Sequence, residues 1–187
     1  MSNFSRAKIK RGGSCIFVNN NYAKFSQEVT NISSLSIENL IEISAVSIKI
    51  KNETYYVVCF YRPPNDNRIK DSLKIFLKTF ENALLKIPNN AHILLTGDLN
   101  IDNLSKSDAQ RSLMNILDSF NLKIVNESAS RISNTSTTQI DYLITNIIHS
   151  KGNNKLTGLS DHHAQIFEFR HVNKKNNKNN ENVKIRR

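Results

Sequence analysis

"AHILLTGDLN", residues 91–100, is an apolar run that passes without a break into a glycine, an acid and an asparagine. Its first half reads as an apolar, buried strand. A carboxylate directly behind such a strand is costly to desolvate unless it finds partners. Asp98 therefore raises two questions: what covers the strand, and what meets the carboxylate at its end.

Upstream, "KDSLKIFLKTFENALLKI" (70–87) sets Leu73, Phe76, Leu77, Phe80, Leu84 and Ile87 at helical spacing, with lysines on the other face. Asp71 or Ser72 can cap its start and Pro88 marks its end. Before it, "LIEISAVSIKI" (40–50) and "TYYVVCFY" (54–61) are strand-like and joined by a polar turn, so they read as a hairpin that "RPPN" stops. "GGSCIFVNN" (12–20) holds a further strand over 15–18. Downstream, "SDAQRSLMNILDSFN" (107–121) is a second helix, with Ser107 or Asp108 as cap and Leu113, Ile116, Leu117 and Phe120 on one face. "LKIVN" (122–126), "TQIDYLITN" (138–146) and "HAQIFEFR" (163–170) complete the strands. Helical crossovers together with hairpins predict an α/β protein with a mixed sheet or a two-sheet sandwich, not a purely parallel sheet.

Composition narrows the class further. A chain of 187 residues, 39% hydrophobic and 22% charged, is ordinary for a globular domain. No apolar run is long enough for a bilayer helix, and the basic start "MSNFSRAKIKR" lacks the apolar core of a secretory signal. Cys15 and Cys59 lie in strand-like stretches without metal-ligand spacing and are expected to be buried thiols in a reducing compartment; a disulfide between them stays open. Four of the 26 Lys and Arg lie in residues 1–11 and six in residues 172–187, which leaves 16 basic against 15 acidic residues between them. The net charge of +10 therefore sits at the ends, and the low-complexity tail "VNKKNNKNNENVKIRR" is expected to be disordered. Lys174, Lys175, Lys178, Arg186 and Arg187 are candidates for salt-sensitive phosphate contacts; a solvated linker accounts for them as well.

Three polar sites share one setting: Asp98 and Asn100 behind a strand, Asp141 within "TQIDYLITN", and Asp161 with His162 in "TGLSDHHAQI" (157–166). Each alone has a bland account, a turn or a satisfied core residue. Together they suggest converging carboxylates, an amide and an imidazole, the groups that hold a hard cation and a phosphate.

"YRPP" (61–64), "GDLN" (97–100), "IDY" (140–142) and "LSDHH" (159–163), in that order, resemble the endonuclease/exonuclease/phosphatase superfamily, and "RGGSCIFV" (11–18) adds the style of its non-LTR retrotransposon endonucleases. The resemblance covers residues 11–171, between a basic segment at 1–10 and the tail at 172–187. It implies a four-layer, DNase I-like α/β sandwich and Mg2+- or Mn2+-assisted hydrolysis that nicks DNA. By motif, Asp98 would activate the attacking water, and Asn100 would help hold that water and the phosphate. Asp141 would orient His162 on the scissile phosphate. Tyr61 would reach the phosphate through its hydroxyl, Asp161 would serve the metal together with Asp98, and Ser160 would support the phosphate site. A phosphate-contacting Thr of the family has Ser130, Thr135, Thr137 or Thr138 as its counterpart, and His163 is read as structural.

The resemblance also implies two earlier motifs, an Asn on a first strand and a metal-ligating Glu. No such Glu precedes Arg11; Glu28, Glu38 and Glu42 follow that point and do not fill the role by motif. The expectation is a domain lacking its first strands, with little or no nuclease activity. The alternatives are a non-catalytic remnant that binds nucleic acid through its basic ends, and a phosphatase of the same superfamily. DNA is the expected partner, continuity with a reverse transcriptase is expected of a full-length element, and no membrane is implied. The expected location is intracellular, nuclear or cytoplasmic.

Overall fold

The structure is a computed structural model that describes residues 1–7, 12–64, 70–126, 128–133 and 135–170. Its centre is a six-stranded mixed sheet in the order β3 (Ser26–Glu28), β4 (Glu42–Ile50), β5 (Glu53–Tyr61), β6 (His92–Asp98), β10 (Asp141–Thr145) and β7 (Lys123–Ile124). The β4–β5 hairpin forms as its polar turn predicts, and β5–β6 is the parallel pair, crossed by helix α3 (Ser72–Leu85). Helix α4 (Asp108–Ser119) starts at Ser107, whose Oγ accepts the Gln110 N–H, and leads toward β7. Asp71 takes the cap position of α3 in a left-handed conformation, and its side chain makes no cap bond.

Strand alternation divides the sheet into two faces. Ile43, Ala45, Val58, Phe60, Leu95, Tyr142 and Ile144 form one core with Phe76, Phe80, Leu84, Leu113 and Leu117 of the two helices. Short helix α2 (Thr30–Ser33) adds Ile32, and α1 (Asn20–Ala23) lies outside this core. The opposite face carries two-stranded ribbons. Residues 2–4, within the basic N-terminal segment, form β1 (Ser2–Phe4) with β2 (Ser14–Ile16), and this ribbon packs on β4. The other ribbon is β11 (Ser150–Lys155) with β12 (Ala164–Phe169), where Gly152 leaves room for Leu143 and the Val125 carbonyl. A last pair, β8 (Arg131–Ile132) and β9 (Thr137–Thr138), stands between β7 and β10 in the chain.

The cysteine expectation needs correction. Both thiols are free, and Cys15 is exposed. Ser14 turns inward to bond Ser44 at 2.8 Å, so alternation along β2 turns Cys15 to solvent. Cys59, on β5, is mostly covered, and burial pushes its thiol up to about 11. No helix among the described residues is long and apolar enough to cross a membrane.

Candidate active site

Glu42, Tyr61, Asp98 and Asp141 form a row across β4, β5, β6 and β10, on the face opposite the helices. Glu42 pairs with Tyr61 and Asp98 with Asp141, and the Arg62 N–H donates to the Asp98 carbonyl to join the two halves at 2.9 Å. The row lies where β5 and β6 end, so loops converge on it.

Local sequence explains how tightly Asp98 is held. Gly97 has φ +129, and a Cβ there would lie 1.9 Å from the Phe60 carbonyl oxygen, so only glycine lets β5 approach. Asn100, also at positive φ, donates its backbone N–H to Asp98 Oδ1 at 2.9 Å and its side-chain amide to the Arg62 carbonyl at 2.7 Å. The buried Arg62 returns its guanidinium to the carbonyls of Leu99 and Asn100. The "YRPP" and "GDLN" segments are thus one unit, with the arginine as its staple.

Asp141 is held as firmly. The buried Ser130 accepts the backbone N–H groups of Ile140 and Asp141 on its Oγ, at 3.0 and 2.9 Å. Asn126 and Gln165 both donate to the Asp141 carbonyl. Its carboxylate is left to face His162, whose Nδ1 lies 2.9 Å from Oδ2. With Nδ1–H donating there, Nε2 is the ring nitrogen left for a substrate.

Asp98, Asp141 and His162 offer ligand atoms within 4.8 Å of one another. Burial pushes the Asp98 carboxyl up to about 6; the Asn100 N–H opposes this, and the Asp141 charge adds to it. Burial also raises the Tyr61 hydroxyl, helped by Asp98 and opposed by Arg6, so at neutral pH Tyr61 is a donor. Burial thus leaves the Asp98 charge poorly solvated, next to a second carboxylate. That condition and the site's oxygen donors fit a hard divalent cation.

Other predicted residues fall outside this cluster. The Asp161 carboxylate is paired with Arg131, Nε to Oδ2 at 2.6 Å, and that bond holds it below the usual carboxylate range. Ser160 shapes its own turn, accepting the His162 N–H on Oγ. Among the family threonine's candidate counterparts, Ser130 is the one beside Asp141; Thr135 is exposed, and Thr137 and Thr138 lie in β9. Lys174, Lys175, Lys178, Arg186 and Arg187 lie outside the described residues.

Three features escaped the sequence reading. Arg62 lies inside "YRPP" without a role read for it, and Arg131 lies outside every quoted motif. The third is a buried pair: Arg6 Nε and the Gly13 N–H both bind the Glu42 carboxylate at 2.5 Å. Gly12 and Gly13 both have positive φ, and a Cβ on Gly13 would lie 2.7 Å from the Phe4 carbonyl oxygen, which accounts for the double glycine of "RGG". Both Glu42 oxygens are occupied, so Glu42 is a structural acid at the end of the row and not a free cation ligand.

Residues 55–166 match a family described as endonuclease-reverse transcriptase. Among solved structures, the endonuclease domain of TRAS1, a telomere-specific non-LTR retrotransposon, is similar with a TM-score of 0.60 and 18% identity, over 78% of this chain and 66% of that one. An endonuclease/exonuclease/phosphatase family protein from Leptotrichia buccalis C-1013-b has TM-score 0.54 and 17% identity, over 69% and 53%. Beta toxin from Staphylococcus aureus has TM-score 0.53 and 13% identity, over 68% and 57%. The chain thus spans between about half and two thirds of each structure's length, and at these identities the likeness speaks for the fold, the expected DNase I-like α/β architecture. No curated protein matches the sequence.

Proposed function

The chain belongs to the endonuclease-reverse transcriptase family, and from that footing we propose, against the sequence expectation of little or no activity, that it hydrolyses phosphodiester bonds in DNA, nicking a strand with the help of a divalent cation even without the earlier metal-ligating Glu. The observation that carries this reading is the convergence of Asp98, Asp141 and His162 on one end of the sheet, with the imidazole fixed by Asp141. Likeness to the TRAS1 domain supports a retrotransposon setting for the substrate.

Mg2+ or Mn2+, held by Asp98 and reached by Asp161 once it leaves Arg131, would neutralise charge developing on the phosphoryl oxygens. The protein groups divide the remaining work. Ionised Asp98 takes a proton from the attacking water, which the side-chain oxygen of Asn100 helps orient; as that water's oxygen bonds to phosphorus, one ester P–O bond breaks and the departing oxygen takes its proton from solvent. Tyr61 donates its hydroxyl to a nonbridging phosphate oxygen. His162 binds the phosphate through Nε2, while Asp141 stabilises its charged form. Few free carboxylates face the cluster, so the cation is held weakly.

A labelled DNA duplex and an inositol phosphate, each incubated with protein and Mg2+, test the substrate class. Strand cleavage without phosphate release from the inositol phosphate supports the proposal. Phosphate release without strand cleavage points to a phosphatase and overturns it.

A further inference from the structure

Arg131 sits at the meeting point of the site's two outer segments. Its backbone bridges to His162, the Ile132 N–H donates to the Asp161 carbonyl at 3.0 Å, and the His163 N–H donates to the Ser130 carbonyl at 2.7 Å. β8 is therefore laced to the loop that carries Asp161 and His162, and the start of the Arg131 side chain is fixed relative to both. Its positive charge is felt at Asp98, across the site.

The guanidinium is only partly committed. Nε binds Asp161, and the two terminal nitrogens have no protein partner among the described residues. Arg131 and Asp161 each keep 40% of the side chain exposed. A pair this open to water is weak, roughly 0–1 kcal/mol, so another charge can exchange with either partner. Asp161 immediately precedes His162, a member of the Asp98–Asp141–His162 cluster, so its carboxylate, though outside that cluster, is the acid next to it in the chain. One acid thus faces two positive partners, and the guanidinium fork suits the bidentate capture of phosphate.

We propose that Arg131 is a DNA-phosphate-binding residue and that a divalent cation, by engaging Asp161, frees its guanidinium for that phosphate. The proposal rests on the nuclease reading of the site. Cation and DNA then strengthen each other's binding, and linkage makes the effect reciprocal. Without a cation, Asp161 holds Arg131 back from DNA. Neither residue needs to alter the Asp141–His162 pair for this exchange to occur.

The test reads binding, not turnover. Anisotropy of a fluorescein-labelled duplex is measured in EDTA and in Ca2+, across a salt series, for wild type, Arg131→Gln, Arg131→Lys and Asp161→Asn. Mg2+ binding without DNA is followed by calorimetry. The expected wild-type result is several-fold tighter DNA binding in Ca2+ than in EDTA. Arg131→Gln should lose that gain, lower the salt slope by about one, and bind Mg2+ more tightly because Asp161 is released. Arg131→Lys, which keeps the charge without the fork, should recover part of the DNA affinity. Asp161→Asn should bind DNA in EDTA as tightly as wild type does in Ca2+. The proposal is overturned if Arg131→Gln matches wild type in DNA affinity and salt slope in Ca2+, or if Asp161→Asn leaves the EDTA affinity unchanged. Those outcomes are independent of catalysis: a protein that shows the arginine effects but never cuts DNA would sink the nuclease reading and keep this one.

Discussion

Asp98 and Asp141 stand directly opposite each other on antiparallel β6 and β10, two carboxylates in one register pair. Acids facing across a ladder repel, and this pair persists because each has its own support. Asp98 takes the Asn100 N–H, and Asp141 takes the His162 ring. Burial, with the Asp141 charge adding to it, pushes the Asp98 carboxyl up to about 6.

That shift predicts a pH dependence of stability. Asp98 binds its proton more tightly in the folded chain than in the unfolded one, where carboxyls titrate near 4. Its contribution is fully present below about pH 4 and is lost as pH rises through about 6. Asp98→Asn should therefore stabilise the protein at pH 7, by about 1–3 kcal/mol, with the gain shrinking toward pH 4. Urea denaturation at the two pH values checks this; an equal gain at both would refute the assignment. Mg2+ should raise the Tm of wild type and leave that of Asp98→Asn nearly unchanged.

Asp141→Asn keeps the shape of the pair but removes the charge that stabilises protonated His162. Nicking should fall about 100-fold or more, with Tm changed little because Ser130, Asn126 and Gln165 still hold the backbone. Plasmid nicking beside a melting curve makes the comparison, and undiminished nicking would remove Asp141 from the mechanism.

Ser130→Ala deletes the acceptor of two backbone N–H groups inside the protein. The expected cost is about 1–3 kcal/mol, read from the urea midpoint. A change within a few tenths of a kcal/mol would mean that water or a shift of the loop satisfies both donors.

Gly97→Ala forces a Cβ to within 1.9 Å of a strand carbonyl, at a φ that alanine avoids. It should destabilise by more than about 3 kcal/mol or prevent folding altogether. A soluble, cooperatively melting variant would show that β5 and β6 can part at the site.

The elements legible in the sequence were those with strong periodicity. The amphipathic helices at 72–85 and 108–119 and the β4–β5 hairpin follow their apolar patterns closely. β11, "SKGNNK", has almost no strand-forming residues; it exists because it pairs with β12 along its whole length. β8 and β9 are two-residue strands that pair with each other across a short turn, too short for an alternation to show, and β8 is further laced to the distant 161–163 loop. Within the site, Asp98, Asp141 and His162 were readable because their motifs lie at strand ends. Arg62 was hidden by its prolines, which read as a stop signal, while its function is to bond the next loop. Arg6 was hidden by distance, with 36 positions separating it from the Glu42 it binds. The Arg131–Asp161 pair had no local signal, because β8 and the Asp161 loop come together only when both pack beside β10.

Nicking of supercoiled plasmid tests the central claim most directly. Purified protein is incubated with Mg2+ and with EDTA, beside Asp98→Ala and His162→Ala. The account predicts open-circular product with Mg2+ alone, and none from either variant. Its contradiction would be a folded, monodisperse protein that leaves the plasmid supercoiled at every Mg2+ concentration, or nicking that persists in both variants.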